Sequence, residues 1–246
     1  MGRNFLQLCN EVLDIMFYTP AATFDGLETT EGRLVKNKMN KVLREVCDGE
    51  QSIWKFREKV KRFFLQEGIQ TYKRPDGYIL YIRPDDLSNR GPLIYNNNYQ
   101  WLPTTSEGTP IQYWIYDDKI NLYPIPSKDD DGRQYKIEYL TDKFAVDKRG
   151  NEKDVMEVET DEPIIPEKYR DVLVYGTAMN FRAARGDAKS AFYEKQFNKV
   201  YNNMLYSQRL SEDYIKGTKV GEKPISSAEA YLYNFYNPYF GSKRVQ

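Results

Sequence analysis

Histidine is absent from this sequence of 246 residues. Its absence excludes catalytic triads and zinc sites that use imidazole, and it removes the side chain that most often acts as a general base. Cysteine is almost absent, because only Cys9 and Cys47 are present, which is too few for a zinc site made of cysteine alone. Both thiols fall in helical patterns where we expect them to be buried. This cysteine usage indicates a reducing or indifferent compartment.

Net charge is also lacking, since 36 basic residues balance 36 acidic ones. Proteins that hold nucleic acid by bulk charge usually carry a basic excess, so any contact with DNA would be local or steric. There is no signal peptide and no long apolar run, so we expect neither export nor a membrane span. The 40% of hydrophobic residues suffice for a core, and the length fits one large domain or two small ones.

Motifs for catalysis are missing as well. There is no Gly-rich phosphate loop and no GxSxG nucleophile elbow. The tract 129–132 reads DDDG, but the closing glutamate and flanking helices of a calcium loop are missing, so we expect a turn there. The acidic run of Glu157, Glu159, Asp161 and Glu162 is interpreted as a solvated linker. We therefore expect no enzymatic activity, no cofactor and no bound metal.

Helical periodicity is present at the N-terminal end. Asn4 and Gln7 match a capping box, and Thr19-Pro20 ends this first helix. A second helix is predicted from about Thr30 to Cys47. Its basic face is typically solvated, with contact to phosphate or to an acidic partner as the alternative. The predicted buried stripes are Phe5, Leu8, Cys9, Val12, Ile15 and Met16, then Val35, Met39, Val42, Leu43 and Val46; the basic face is Lys36, Lys38, Lys41 and Arg44.

Two further helices are predicted between Pro163 and Leu210. Pro166 suits a first helical turn, Gly186 suits a helix end, and Asp187 suits the cap of the next helix. A joint this tight predicts an antiparallel helical hairpin with its stripes facing a core. The stripes are Tyr169, Val172, Leu173, Gly176, Met179 and Ala183, then Tyr193, Phe197, Val200, Tyr201 and Met204.

Residues 52–146 have the short aromatic and β-branched runs that predict strands. Proline and glycine make residues 75–77 a turn, and Asp117-Asp118 predicts a hairpin. Residues 141–162 form a polar, charged connection back to the helices. The candidate strands are Lys59–Gln66, Ile69–Lys73, Tyr78–Arg83, Leu93–Trp101, Ile111–Tyr116, Lys119–Tyr123 and Tyr135–Leu140.

Aromatic side chains on these strands leave two interpretations open. Trp54, Trp101 and Trp114, with many tyrosines, could stack on sugars or bases, or they could fill a β core. Arg57, Lys59 and Lys61 alternate in a pattern typical of a solvent-facing strand side, so they favour neither interpretation.

The order helix, helix, strands, helix, helix predicts an α+β fold. We expect the terminal helices to form a bundle from residues 1–51 and 160–211, with an inserted antiparallel β domain, sandwich or barrel-like, at 52–147. Residues 212–246 are predicted to be an extended C-terminal arm that docks on a neighbouring subunit, with docking on its own β domain as the alternative. The candidate docking residues of this arm are Tyr231, Tyr233, Phe235, Tyr236, Tyr239 and Phe240.

Several segments, taken in order, resemble the head-to-tail adaptor (connector) family of tailed bacteriophages, which includes the tail tubular protein A of short-tailed phages. The resemblance covers about residues 4–210, and the aromatic arm departs from the family pattern. The segments are NFLQLCNEVL from Asn4, Trp54–Arg57, Ile120–Pro126, Tyr135–Tyr139, Pro163–Pro166 followed by Tyr169–Val174, and then Tyr193, Phe197 and Tyr201.

The resemblance implies a structural virion protein of the phage neck, assembled in the host cytoplasm. Such proteins form a ring, usually of twelve copies, between the portal protein and a tail or nozzle protein. DNA passes through the ring during genome ejection, without sequence-specific binding and without a membrane. Balanced charge suits such a channel, because phosphate attraction summed over many copies would retard DNA. A carbohydrate- or nucleic-acid-binding module and a metal-free enzyme remain the alternatives.

Overall fold

The computed structural model describes residues 2–48, 54–86, 91–98, 100, 102 and 105–208. They divide into two compact units. The helical unit consists of the described residues within Met1–Arg57 and Asp142–Leu210, and the β unit consists of those within Glu58–Thr141. Each unit has an apolar core of its own.

Among the described residues, the helices and three short strands of the helical unit are α1 (Phe5–Ile15), α2 (Thr30–Asp48), β8 (Ala145–Val146), β9 (Glu152–Lys153), β10 (Glu162–Pro163), α3 (Asp171–Ala183) and α4 (Ser190–Gln208). The strands of the β unit are β1 (Glu58–Phe64), β2 (Thr71–Lys73), β3 (Gly77–Pro84), β4 (Ile94–Tyr95), β5 (Gln112–Tyr116), β6 (Lys119–Tyr123) and β7 (Gln134–Thr141). The predicted α+β class is therefore confirmed.

The β unit contains two sheets that share one core. Their strand orders are β1-β7-β3 and β2-β6-β5-β4, and the described strands do not close into a barrel. The expectation of purely antiparallel pairing is wrong at one place, because β4 pairs with β5 in parallel. The strand predicted from Leu93 to Trp101 is only Ile94–Tyr95 among the described residues. The core draws on both sheets: Leu65, Ile79, Ile82, Leu93, Tyr113, Ile120, Leu122, Tyr135 and Ile137.

The turns of the β unit follow the predicted chemistry. Asp117 and Asp118 have φ angles of 51° and 54°, which is the hairpin geometry with two positive φ values that joins β5 to β6. Gly77 has φ of 132° where β3 begins. In the DDDG tract Asp130 is buried and accepts a hydrogen bond from Arg133 at 2.5 Å, so its charge is compensated by a side chain of the same turn.

The solvent-facing side of β1 differs from the prediction. Phe63 packs against the β core. Lys61 and Lys59 lie two and four residues before it, so they share its half-buried side of the strand. Phe64 is on the exposed side. Arg57 is not in the strand but in the 3-10 turn that precedes it.

The two N-terminal helices agree with their predicted patterns. The capping box of α1 is present, with Asn4 and Gln7 each accepting from the backbone N–H of the other at 2.9 Å. In α2 the predicted stripe is buried, together with Cys47. Its basic face is only partly solvated, because the Lys36 side chain pairs with Glu28 and covers the Phe24 ring.

Helix α3 is the central helix of the helical unit and contacts α1, α2 and α4. The single apolar stripe predicted for α3 includes too few of its buried residues. Buried residues surround most of the helix, whereas Ala183 of the predicted stripe is exposed. At Gly176 an added Cβ would lie 2.8 Å from Val42 Cγ1 and 3.1 Å from Phe197, so the helix packs closely on two sides.

The connection between α3 and α4 contains the predicted Gly186 and Asp187, but α4 begins later than predicted. Gly186 has φ of 68° and ends the turn after α3. Asp187 accepts from the Lys189 N–H at 2.9 Å, and α4 begins at Ser190 rather than at Asp187. The predicted inner side of α4 is confirmed, with Tyr193 and Met204 buried and its other members packed against the core.

The connection at 142–162 is not the plain solvated linker of the prediction. Strands β8, β9 and β10 form a small antiparallel sheet there. The Asp161 side chain is fully buried, accepts from Lys153 at 2.8 Å, and accepts from the N–H groups of Glu157 and Val158 at 2.7 and 3.0 Å. Its carbonyl accepts from the N–H of Phe5 at 2.8 Å, which ties the connection to the start of α1.

A buried guanidinium joins the same region to α3. Arg170 is 6% exposed and donates to the carbonyls of Arg3 at 2.5 Å, Ile165 at 3.0 Å and Pro163 at 3.2 Å. It also pairs with Glu162 at 2.9 Å. These bonds hold together segments about 160 residues apart in sequence.

We predict that the helical unit folds without the β unit. Glu58 lies opposite Leu140 in neighbouring strands, so a short Gly-Ser linker can replace residues 58–141. The described core of the helical unit takes no residue from that range. Circular dichroism should show helix with cooperative melting, and the same protein with Gly176→Leu should fail to fold. Non-cooperative melting of the first protein would contradict the prediction.

We predict that Asp161→Asn lowers the free energy of unfolding at pH 7 by about 2 kcal/mol, the usual contribution of a charged hydrogen bond. Burial raises the pKa of Asp161, but Lys153 and two N–H donors outweigh it and hold the pKa below 3.8. Because the pKa of this carboxyl is lower in the folded state than in the unfolded state, its ionised form stabilises the fold above the unfolded-state pKa. That stabilisation is lost as the pH falls through the folded-state pKa. Urea unfolding should show the two proteins converging below about pH 4.

The matched control for that measurement is Asp154→Asn, since Asp154 is 68% exposed and pairs with Lys143 only at the surface. This variant should unfold within about 0.5 kcal/mol of the parent protein. An equal loss in both variants would show that the buried position of Asp161 is not what stabilises the fold.

Candidate docking surface

The aromatic side chains singled out from the sequence do not form a common site in the part of the chain that the structure describes. The six aromatic docking candidates of the C-terminal arm and Trp101 lie outside that part. Trp54 is fully buried in the helical unit, where its indole N–H donates to the Val46 carbonyl at 2.8 Å. Trp114 is also buried. Neither of these two indoles is therefore free to stack on a sugar or a base.

Exposed aromatic rings instead gather where α1 ends and α4 begins. Phe17 is 85% exposed and Phe192 is 59% exposed, which is unusual for rings of this size. Together they border an open concavity of about 470 Å³, which we call the aromatic concavity. It is lined by Ile15, Phe17, Tyr175, Lys189, Phe192 and Tyr193.

The end of α1 explains how Phe17 comes to face solvent. The N–H of Phe17 donates to the Asp14 carbonyl at 2.9 Å, and the N–H of Tyr18 donates to the Leu13 carbonyl at 2.8 Å. This pair of bonds is the Schellman motif, whose left-handed residue is usually glycine. Phe17 occupies that position with φ of 65°. A side chain there costs about 1–2 kcal/mol relative to ordinary backbone.

Neighbouring helices hold the end of α1 in place. The Tyr193 hydroxyl donates to the Ile15 carbonyl at 2.7 Å, and Arg182 donates to the Met16 carbonyl at 3.1 Å. These donors satisfy carbonyls that a helix C-terminus leaves unpaired. The concavity is thus formed by α1, α3 and α4 and is positioned by the same packing as the core.

The electrostatics of this surface are simple. Lys189 is its charged lining residue, and its ammonium lies 5.8 Å from the centre of the Phe17 ring. Asp187 stands beside the concavity, and its pKa is lowered first by the N–H of Lys189 and then by Arg182, with which it pairs at 2.7 Å. The arrangement offers aromatic surface and one cation, which suits a ligand rich in uncharged aromatic groups.

Other chemistry has less support among the described residues. In that part of the chain no group of three or more histidine, cysteine, aspartate or glutamate side chains could hold a metal ion. Both cysteines are buried, and burial raises the pKa of each thiol to about 12. None of the described helices is long and apolar enough to cross a lipid bilayer.

Sequence reasoning missed this surface for identifiable reasons. Phe17 lies between Met16, the last residue of the predicted stripe, and the helix stop at Thr19-Pro20, and Phe192 lies just outside the stripe that contains Tyr193. A usable signal was present, since a phenylalanine follows the last apolar residue of the first helix where glycine or asparagine is expected.

Comparison of the chain with protein-family models and with curated proteins gives no match. The resemblance to phage adaptors therefore stays a prediction based on the residues quoted above.

We predict that Phe17→Gly leaves the fold at least as stable as the parent protein, with a gain of up to about 1 kcal/mol, because the backbone strain is relieved. Little packing is lost, since the ring is exposed. Thermal unfolding measures this. The buried Phe181→Ala serves as the contrast and should lose about 3–5 kcal/mol. A large loss from Phe17→Gly would mean that this ring stabilises the monomer.

Proposed function

We propose that this chain is a head-to-tail adaptor, a structural virion protein whose copies form a ring between the portal and the tail of a bacteriophage. In this role the ring surrounds the channel through which DNA leaves the head. The protein acts through assembly and not through catalysis. Its ring, of about twelve copies as the resemblance implies, contacts a portal protein on one side and a tail or nozzle protein on the other.

The observation that carries the proposal is the division of the chain into two units with separate cores. A helical unit made from both terminal segments is interrupted by a β unit between Glu58 and Thr141. This is the organisation that the resemblance implies, and the quoted segments occur in the family's order. Two units with separate cores can present different surfaces to different partners within one ring.

The finer architecture is part of the proposal. We take the four helices as a bundle around α3, which is supported by the contacts of α3 with α1, α2 and α4. We take the two sheets of the β unit as a sandwich, which is supported by the core that both sheets share. The arm at 212–246 is taken as an extension used in assembly.

Charge and exposed surface also support a role in assembly. Equal numbers of basic and acidic residues would give a channel that does not retain DNA. The aromatic concavity leaves two large rings in solvent, and rings of this kind are enriched at protein interfaces. The binding-module alternative needs tryptophans on a β face, and Trp54 and Trp114 are both buried.

We predict that the chain co-purifies with the portal protein encoded by the same genome and forms a ring on it. Negative-stain electron microscopy of the mixture should show an added ring of density on one face of the portal. The isolated chain should bind duplex DNA no more tightly than about 10⁻⁴ M at physiological salt, because it has no basic excess.

The matched control is Tyr116→Ser, which alters an exposed ring of the β unit and leaves every residue of the helical unit unchanged. This variant tests whether the loss of any exposed aromatic side chain impairs assembly of the oligomeric ring. A parent chain that stays monomeric with its portal, and that binds oligosaccharide or single-stranded DNA, would overturn the proposal in favour of the binding module.

A further inference from the structure

We infer that the aromatic concavity is the docking site for the C-terminal aromatic segment 231–240 of a neighbouring copy of this chain. The inference rests on the proposed function, since a ring supplies the neighbouring copy. It adds a site for the arm on the described surface, whose two exposed rings, Phe17 and Phe192, the sequence did not single out.

The first support is the chemistry of the two surfaces. The segment 231–240 reads YLYNFYNPYF and contains no charged residue. The concavity is lined by aliphatic and aromatic side chains with Lys189 as its charged member. An uncharged aromatic segment brings no charge of its own into such a site, and its rings match the aromatic lining.

The second support is the unusual backbone of Phe17. Its ring is held outward by a left-handed residue at a position where glycine is usual, and the ring is 85% exposed. Strained backbone persists at sites where it has a use, such as the clamping of a ligand. Phe17 and Phe192 together supply the exposed apolar surface that an aromatic segment would cover.

The third support is reach. Helix α4 has 19 residues and is about 28 Å long, with the concavity at its first turn and Gln208 at its end. Residues 209–230 separate Gln208 from the aromatic segment and have a polar composition that includes Gly217, Gly221 and Pro224. A polar chain of this length spans roughly 25 Å on average. The linker is therefore about as long as α4, which separates Gln208 from the concavity. Because exchange of an element between copies is a common route to oligomers, we place the segment on the concavity of an adjacent copy.

Chemical crosslinking in the full chain tests the inference. One preparation carries Lys189→Cys at the rim of the concavity and a second carries Asn234→Cys within the segment, so every aromatic ring is kept. The native thiols are buried and do not interfere. The two preparations are mixed over a concentration series and treated with a bismaleimide. Covalent heterodimers that increase with concentration are expected.

The matched control replaces Lys189→Cys by Lys199→Cys. Lys199 is an exposed lysine within α4, ten residues or about 15 Å further along the chain. Its yield of heterodimer should be about tenfold lower, because the docked segment would not lie beside it. Adding Phe17→Ser and Phe192→Ser to the Lys189→Cys preparation should reduce the yield to the level of this control.

Three results would overturn the inference. They are equal yields at positions 189 and 199, no effect of the two serine substitutions, and, in a further preparation with Lys189→Cys and Asn234→Cys on one chain, crosslinks that form only within that chain. Heterodimers at position 189 in a chain that does not bind its portal would support the inference while contradicting the adaptor function. Portal binding without these crosslinks would do the reverse.

Discussion

The helical unit depends on one buried cation. The guanidinium of Arg170 donates to three backbone carbonyls and pairs with the carboxylates of Glu162 and Glu167. These acceptors come from both sequence segments of the unit. A buried charge is tolerated only when it is paired and its hydrogen bonds are made. Because Arg3 and Pro163 must be adjacent to satisfy this one side chain, the start of α1 and the approach to α3 have a fixed register.

Charge pairing of this kind occurs throughout the helical unit and explains how a sequence rich in charged residues can fold around a modest core. Arg3 contacts Glu11, Glu167 and Asp171 at 2.6–2.7 Å, and Lys153 neutralises the buried Asp161. These contacts connect loops to helix ends, where backbone groups lack partners. Breaking a buried pair of this kind is costly, because one charge is left without a partner, and the pairs also favour one arrangement of the connecting segments.

The sequence predicts the long elements well because their periodicity extends over several turns or residue pairs. The capping box at Asn4, the hairpin at Asp117-Asp118 and the buried stripe of α2 all follow from local rules. The small sheet at 142–162 could not be predicted, since strands of two residues have no period. The burial of Asp161 also depends on a lysine placed by tertiary structure. The aromatic concavity was missed because helices distant in sequence create it, although Phe17 itself broke a local rule.

The close packing of α3 has a consequence for how this sequence can change over time. Gly176 leaves no room for a methyl group beside Val42, and most positions of α3 are buried against three other helices. Substitutions in this helix must nearly conserve volume, and two neighbours must often change together. The outer side of α4 has no such restriction, since it is largely exposed. Among related chains, α3 should therefore diverge slowly and in correlated pairs, while the outer side of α4 accumulates independent changes.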